Sequence, residues 1–253
     1  MNAAPTTPAL ANDAQRGSHW QQRMVGRHSW ALLINANCMD VRDEMAAAQV
    51  VITDPPYGTG KYEYDEDSTV QECLMPWARK AVFGYPETLC GWCATLGKPD
   101  EWVTWWPTNK MCGRPRGLAR EVEAIAIWGE LYEVPMRPRS ETSMKYLAEL
   151  VASRGNSATE AKCGDVWRDP SPGMSWNSDA RQHPNEKPES LMCKLVKLCT
   201  VAGETICDPY MGSGTTGVAA VRLGRNFIGI ERDAAHYKTA CDRIAHELDG
   251  ALL

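Results

Sequence analysis

One stretch, ETICDPYMGSGTTGVAAVRLGRNFIGIER at 204–232, limits what the chain can fold into more than any other. Thr205 to Cys207 begin a short apolar strand, and Asp208 stands where that strand should end. Gly212, Gly214 and Gly217 follow as G-x-G-x-x-G, a spacing that lets backbone turn tightly and approach a ligand. Thr215 to Leu223 read as a helix bearing alanine and valine, with Gly224 placed to end it. Asn226 to Ile230 form a second apolar strand tipped by Glu231, and a carboxylate at that tip can hydrogen-bond a ribose diol. The stretch is therefore a βαβ half-site for an adenosine-containing cofactor. The competing reading is a plain α/β turn whose glycines serve packing.

The glycines alone do not choose the cofactor, since the same run fits a dinucleotide fingerprint. Only 22 residues (253 − 231) follow Glu231, so no second mononucleotide-binding half is expected. Asp208 before the loop would set a negative charge near a pyrophosphate. That placement suits a ligand with a positively charged group, such as the amine of S-adenosylmethionine.

A second half of the site is expected far upstream. Val50 to Thr53 are apolar and β-branched and run into Asp54-Pro55-Pro56-Tyr57-Gly58. Two prolines cannot continue a central strand, so the run stops at a rigid turn. The turn presents a carboxylate, a backbone carbonyl and an aromatic ring at a strand's C-terminal edge, where open α/β sheets bind ligands. An ordinary Pro-Pro turn with a buried tyrosine is the alternative.

DPPY together with DPYMGSGTT resembles the permuted DNA amino-methyltransferases, the β group, in which the catalytic motif precedes the target-recognition region and the cofactor motif comes last. HPNEKPESLMCKLV resembles that family's HP-x-x-KP-x-x-L segment, and LGRNFIGIERDAAHYKTACDRI its LGR-x-FIG-x-E-x-D-x-x-Y-x-x-A-x-x-R segment. The resemblance is close over residues 30–58 and 183–246 and loose between them. It implies a Rossmann-like methyltransferase fold of α/β class, a mixed, mostly parallel sheet with helices on both faces. It implies S-adenosylmethionine as cofactor and double-stranded DNA with a flipped target base as substrate.

Residue roles follow by the same resemblance. Asp54, Pro55, Pro56 and Tyr57 would be catalytic. Asp208 would take the methionine amine. Tyr210, Gly212, Ser213, Gly214 and Thr215 would form the loop around the methionine portion, and Glu231 would bind the ribose hydroxyls. Lys187 would approach the methionine carboxylate, with His183 nearby. Asn37 stands where the family usually has an aspartate that contacts adenine. Its side-chain carbonyl can accept that bond without charge, or it can serve as a helix cap.

Composition sets the surroundings. A chain of 253 residues can build one large domain, expected over 19–253, with a disordered Ala/Pro/Thr/Asn-rich arm at 1–18. No apolar run is long enough to span a membrane and no signal core is seen, so a cytoplasmic location is expected. Ten scattered cysteines suit a reducing compartment. Cys90 and Cys93 make a C-x-x-C, but only the isolated Cys112 and Cys163 follow at any plausible distance, so no metal is expected. A net charge of −5 does not advertise nucleic-acid binding. Charge is segregated, however. Lys110, Arg114, Arg116 and Arg120 give a stretch with no acid at 105–120, whereas Lys61 faces Glu63, Asp65, Glu66, Asp67 and Glu72 at 61–72. The alternative is a pair of ordinary solvated loops.

Further strands are expected over Ser29–Ile34, Ala81–Phe83 and Glu101–Trp106, with a half-buried strand over Glu121–Trp128. Helices are expected over Val41–Ala48, Val70–Arg79 and Glu87–Leu96, and a substrate-closing loop over Thr59–Thr69. The ten tryptophans are core material by default. A short target-recognition region is placed at 130–165, where Arg137, Arg139, Lys145, Arg154 and Lys162, with Arg168 just beyond, are candidate phosphate or base contacts. Lys110, Arg114 and Arg116 join Arg137 and Arg139 as the expected DNA-binding set.

The chemistry that the resemblance implies is amine methylation. An exocyclic amine is a poor nucleophile because its lone pair is delocalised into the ring. The Asp54 carboxylate and the Pro55 carbonyl can each accept one N–H and stabilise the developing positive charge, while Tyr57 stacks on a base rotated out of the duplex. Family members acting on cytosine N4 usually carry Ser at position 54, so Asp54 favours adenine N6. The rivals are cytosine-N4 transfer, a catalytically idle DNA- or cofactor-binding protein and an NAD-binding oxidoreductase. A homodimer is compatible with each.

Overall fold

A computed structural model describes residues 14–16, 19–57, 69–107, 122–133, 136–138, 160–162, 166–169 and 186–250. The strands are β1 (Ala14–Arg16), β2 (His19–Val25), β3 (Trp30–Asn35), β4 (Val50–Thr53), β5 (Lys80–Gly84), β6 (Glu101–Trp105), β7 (Glu123–Trp128), β8 (Met136–Pro138), β9 (Glu160–Lys162), β10 (Val166–Trp167), β11 (Thr205–Asp208) and β12 (Asn226–Glu231). The helices are α1 (Arg42–Met45), α2 (Val70–Leu74), α3 (Pro86–Leu96), α4 (Glu189–Cys199), α5 (Thr215–Arg222) and α6 (Ala234–Gly250).

Ten strands form one sheet in the order β1-β2-β3-β12-β11-β4-β5-β7-β6-β10. Its centre, β3 to β5, is parallel. β7 runs antiparallel between β5 and β6, and β1 and β2 are antiparallel on the far side. The sequence-late strands β11 and β12 sit between β3 and β4, and the direction of chain progress reverses where β11 meets β4. That reversal is a topological switch point, which leaves a crevice at the carboxyl ends of the strands.

Both faces of the sheet are covered, and the side chains divide by the two-residue period of a strand. Val50 and Ile52, Ala81 and Phe83, and Ile125 and Ile127 join a core with α4, α5 and α6. Val51, Val82, Ala124, Ala126 and Trp128 join a second core with α1, α2 and α3. This corrects one expectation: β7 is buried along its whole length rather than half-buried, because helices lie on each side of it. Burial of each Val or Ile contributes roughly 1.5–3 kcal/mol, so the central strands are held from two directions.

Other boundaries also differ. α2 stops at Leu74 rather than Arg79, since Pro76 lacks the N–H that would continue it. Within the expected 41–48 helix, only Arg42–Met45 is α-helical, preceded by a 3₁₀ turn at Cys38–Asp40. Ala14–Arg16, expected in a disordered arm, pairs its backbone with β2. Trp105, Trp128 and Trp167 are core residues, whereas Trp20 and Trp106 are exposed. In the expected target-recognition region, β8 and β9 pair as a separate two-stranded ribbon. Among the described residues no helix is long and apolar enough to cross a membrane, and no group of three ligating side chains can hold a metal.

Candidate functional site

The site opens where β4 and β11 end. Parallel pairing of Cys207 with Val51 brings the turn after Thr53 beside the loop after Asp208. The two are joined directly, since the Thr53 hydroxyl donates to Asp208 Oδ1 at 2.6 Å. Thr216, on the first turn of α5, donates to Asp208 Oδ2 at 2.7 Å, and the Tyr210 backbone N–H donates to Oδ1 at 3.1 Å. Asp208 is 2% exposed and burial pushes its carboxyl up to about 6, with these three donors working the other way. The expected cofactor ligand is thus, in this structure, the peg between strand β4, strand β11 and the glycine loop.

The glycines divide by job. Gly212 (φ +53) and Gly214 (φ +82) adopt the left-handed conformation that glycine takes without penalty. Space beside Gly212 is open, whereas a Cβ on Gly214 would meet Ala240 at 2.9 Å, and one on Gly217 would meet Ile244 at 2.4 Å and Phe227 at 2.6 Å. Gly212 alone of the three faces room for a ligand. The other two let α6 and β12 close against the loop. Arg243 of α6, which the sequence reading did not single out, fastens the loop: it donates to Ser213 O and Oγ at 3.0 Å and pairs with Glu186 at 2.8 Å. Ser213 and Thr215 are buried, and Tyr210 is half-buried against the second core.

Glu231 ends β12 at the same edge. Its Oε2 accepts from Gly212 N at 3.0 Å and its Oε1 from Asp233 N at 2.8 Å. Burial raises its carboxyl, opposed by those backbone donors. It keeps partial exposure beside Gly212, an arrangement suited to hydroxyl donors of a ligand. Asn37 caps the 3₁₀ turn, its Oδ1 accepting from Met39 N at 3.0 Å, so the capping alternative is the one built here.

The second half of the site gathers charge. Asp54 Oδ2 accepts from Lys187 Nζ at 2.5 Å, and Oδ1 accepts from the Tyr57 hydroxyl. Lys187 also pairs with Glu123 Oε2 at 3.1 Å, and the Tyr57 hydroxyl oxygen lies 3.2 Å from that same atom as an alternative acceptor. The ammonium lies 5.1 Å from the Phe83 ring centroid and 5.7 Å from that of Trp105. Lys187 precedes Pro188, which disfavours helix at that position, so the side chain leaves α4's N-terminus extended toward the site. Lys187, expected near a cofactor carboxylate, has as its partners here the carboxylates of Asp54 and of Glu123 at the head of β7. Burial works to lower the Lys187 ammonium and is outweighed by Asp54 and Glu123, which hold it protonated. Burial raises the Asp54 carboxyl, Lys187 pulls it back, and Glu123 adds to the rise. Burial and the two acids also raise the Tyr57 phenol, which remains a donor. The Tyr57 ring meets Tyr85 edge-on at 4.9 Å.

Glu123 was missed by the sequence reading. Its only signal is an acid heading an otherwise apolar strand, EAIAIW, and it is 4% exposed. Because β7 is antiparallel to β5, its first residue arrives at the edge where the parallel strands end. Of the expected DNA contacts, Lys110, Arg114, Arg116 and Arg139 lie outside the described residues, as do the 59–68 loop, His183, Cys112 and Cys163. Arg137 is placed only by its backbone, in β8. Arg168 stands 5.1 Å over the Trp106 ring.

A protein-family model described as DNA methylase matches residues 95–242. Type II methyltransferase M1.MboII of Moraxella bovis is 25% identical over 240 residues, covering 81% of this chain and 92% of that protein. Type II methyltransferase M2.MboI of the same organism is 45% identical over 69 residues, 27% of this chain and 25% of that one. Among solved structures, the M1.HpyAVI–SAM complex superposes with a TM-score of 0.59 at 21% identity, over 84% of this chain and 99% of that one. The cytosine-N4-specific PvuII DNA methyltransferase gives 0.52 at 14% identity, over 87% and 93%. The shared architecture is the Rossmann-like α/β sheet described above.

Proposed function

The chain belongs to the N6/N4 DNA methylase family, and from that premise we propose that it transfers a methyl group from S-adenosylmethionine to adenine N6 at a specific site in double-stranded DNA. The observation that carries this reading is the pairing of β4 with β11, which sends the Asp54 turn and the glycine loop out of one sheet edge as neighbours. The order of motifs, DPPY first and glycine loop last, supports assignment to the permuted β group. When bound, S-adenosylmethionine supplies a sulfonium methyl as electrophile. The donor set fits such a cofactor: Glu231 is partly exposed beside Gly212 and suits ribose hydroxyls. Asp208, with one lone-pair position left on Oδ2, suits a methionine amine, and Asn37 retains a second lone pair for an adenine amine.

Asp54 and the Pro55 carbonyl accept the two N–H bonds of the target amine, which localises its lone pair, and Asp54 stabilises the positive charge that grows on nitrogen. Tyr57 turns from Asp54 to stack on a base flipped from the duplex. The aspartate at position 54 favours adenine over cytosine. The basic residues of 110–139 meet phosphates, the active unit is a single domain with or without a symmetric partner, and the reaction occurs in the cytoplasm. The test is label transfer from methyl-labelled S-adenosylmethionine to duplex DNA, followed by nucleoside analysis. N6-methyladenine is the expected product. N4-methylcytosine would refute the base assignment, and labelled cofactor bound without transfer would indicate an idle binding protein.

A further inference from the structure

In the arrangement described, each oxygen of Asp54 already accepts one donor, so a substrate amine would share the carboxylate with them. Oδ2 holds the Lys187 ammonium and Oδ1 the Tyr57 hydroxyl. Tyr57 is released when its ring stacks on a base. Lys187 has a second carboxylate within reach, Glu123 Oε2 at 3.1 Å, and the rings of Phe83 and Trp105 beside it. It can therefore let go of Asp54 without leaving its pocket.

The charge balance gives this exchange a direction. An amine attacking a sulfonium methyl becomes positively charged, and an ammonium close by opposes that. Asp54 with Lys187 alone would sum to zero. Glu123 makes the sum −1, so that net negative charge faces the reacting nitrogen. Resting on the reading of Asp54 as acceptor of the target amine, we propose that Glu123 is a positioning residue of the transfer step: it takes over the Lys187 ammonium when the base amine takes Asp54, and offsets its charge. Glu123 touches neither base nor cofactor in this scheme and acts through Lys187.

The experiment uses the full chain, duplex DNA and labelled S-adenosylmethionine, with single-turnover rate, KM for DNA and cofactor affinity measured for each variant. Glu123→Gln is expected to slow single turnover about 10- to 100-fold, as expected for a missing charge acting through a partly buried site. KM for DNA and cofactor affinity should stay within about twofold of wild type, because the loss is confined to the transition state. Glu123→Gln combined with Lys187→Met restores a net −1 at Asp54 and should be faster than Glu123→Gln alone, which a merely structural role would not produce. Glu123→Asp keeps the charge and should retain most of the rate, which guards against a Gln variant that fails to fold. Full-rate transfer by Glu123→Gln, or a double variant slower than either single one, overturns the inference while leaving the function reading intact. A wild type that binds cofactor and transfers nothing refutes the function reading itself, and this inference with it.

Discussion

Asp208→Asn isolates what a buried, hydrogen-bonded carboxylate costs this fold. Asp208 has an ordinary value of 3.8 when exposed and about 6 in the folded chain, chiefly because burial penalises the charged form. Below 3.8 both states are protonated and the group is neutral to stability. Between 3.8 and about 6 the unfolded chain ionises and the folded one resists, so stability falls as pH rises. Above about 6 the full penalty is present. At about 1.4 kcal/mol per pH unit the gap amounts to about 3 kcal/mol. Asparagine has the same shape and no charge. Its Oδ1 can keep the Tyr210 N–H, and a threonine hydroxyl can rotate to accept from its Nδ2. Loss of hydrogen bonding shifts the variant by a pH-independent amount, whereas the charge contribution depends on pH. Urea unfolding of both proteins without cofactor, at several pH values, separates the two, and subtraction cancels every other titrating group. The stability of Asp208→Asn relative to wild type should rise by about 2 kcal/mol between pH 4 and 7, most of it below pH 6. A difference that stays flat, or falls, refutes the claim that Asp208 is held against its preference as a peg.

Asp54→Ala should abolish methyl transfer while calorimetry finds cofactor affinity nearly intact, since Asp54 lies among Lys187, Tyr57 and Glu123 and not in the glycine loop; equal loss of both would refute its assigned role. Lys187→Met removes the charge that pulls the Asp54 carboxyl down, so the acid limb of the single-turnover pH profile should move to higher pH; an unmoved limb would count against the ion pair. Gly217→Ala drives a methyl into Ile244 and Phe227 and should cost about 1–3 kcal/mol in thermal or urea unfolding, and Gly212→Ala, with open space beside it, only about 1 kcal/mol of backbone strain.

Strand ends were the legible part of this sequence. Asp54, Asp208 and Glu231 each follow an uninterrupted apolar run, and in a parallel sheet that position means the ligand-binding edge. Packing against both faces was harder to read. β7 resembles an alternating strand because alanine alternates with isoleucine, yet both sets are buried under different helices. β2 is polar along most of its length and gave no apolar signal. The roles of Lys187 and Glu123 depend on contacts remote in sequence, 133 residues separating Lys187 from Asp54. No local pattern encodes which acid a lysine before Pro188 will meet. Asn37 was readable as both cap and ligand, and its cap bond to Met39 N uses one lone pair of Oδ1 and leaves the other.

Placing β11 and β12 between β3 and β4 has a consequence for biosynthesis. The ribosome makes β3, β4 and β5 early, but β3 and β4 cannot pair with one another in the native order. Two apolar strand edges stay open until residues 205–231 emerge, about 150 residues after β4. At roughly 5–20 residues per second, that is on the order of ten seconds or more of exposure. The ladders that join β11 to β4 and β12 to β3 form last and from the most distant partners, which makes them slow to close. A nascent chain of this topology is accordingly a strong client for a holding chaperone. A stop codon ahead of β11 would do more than delete the glycine loop, because it would leave the two open edges to find each other in neighbouring chains.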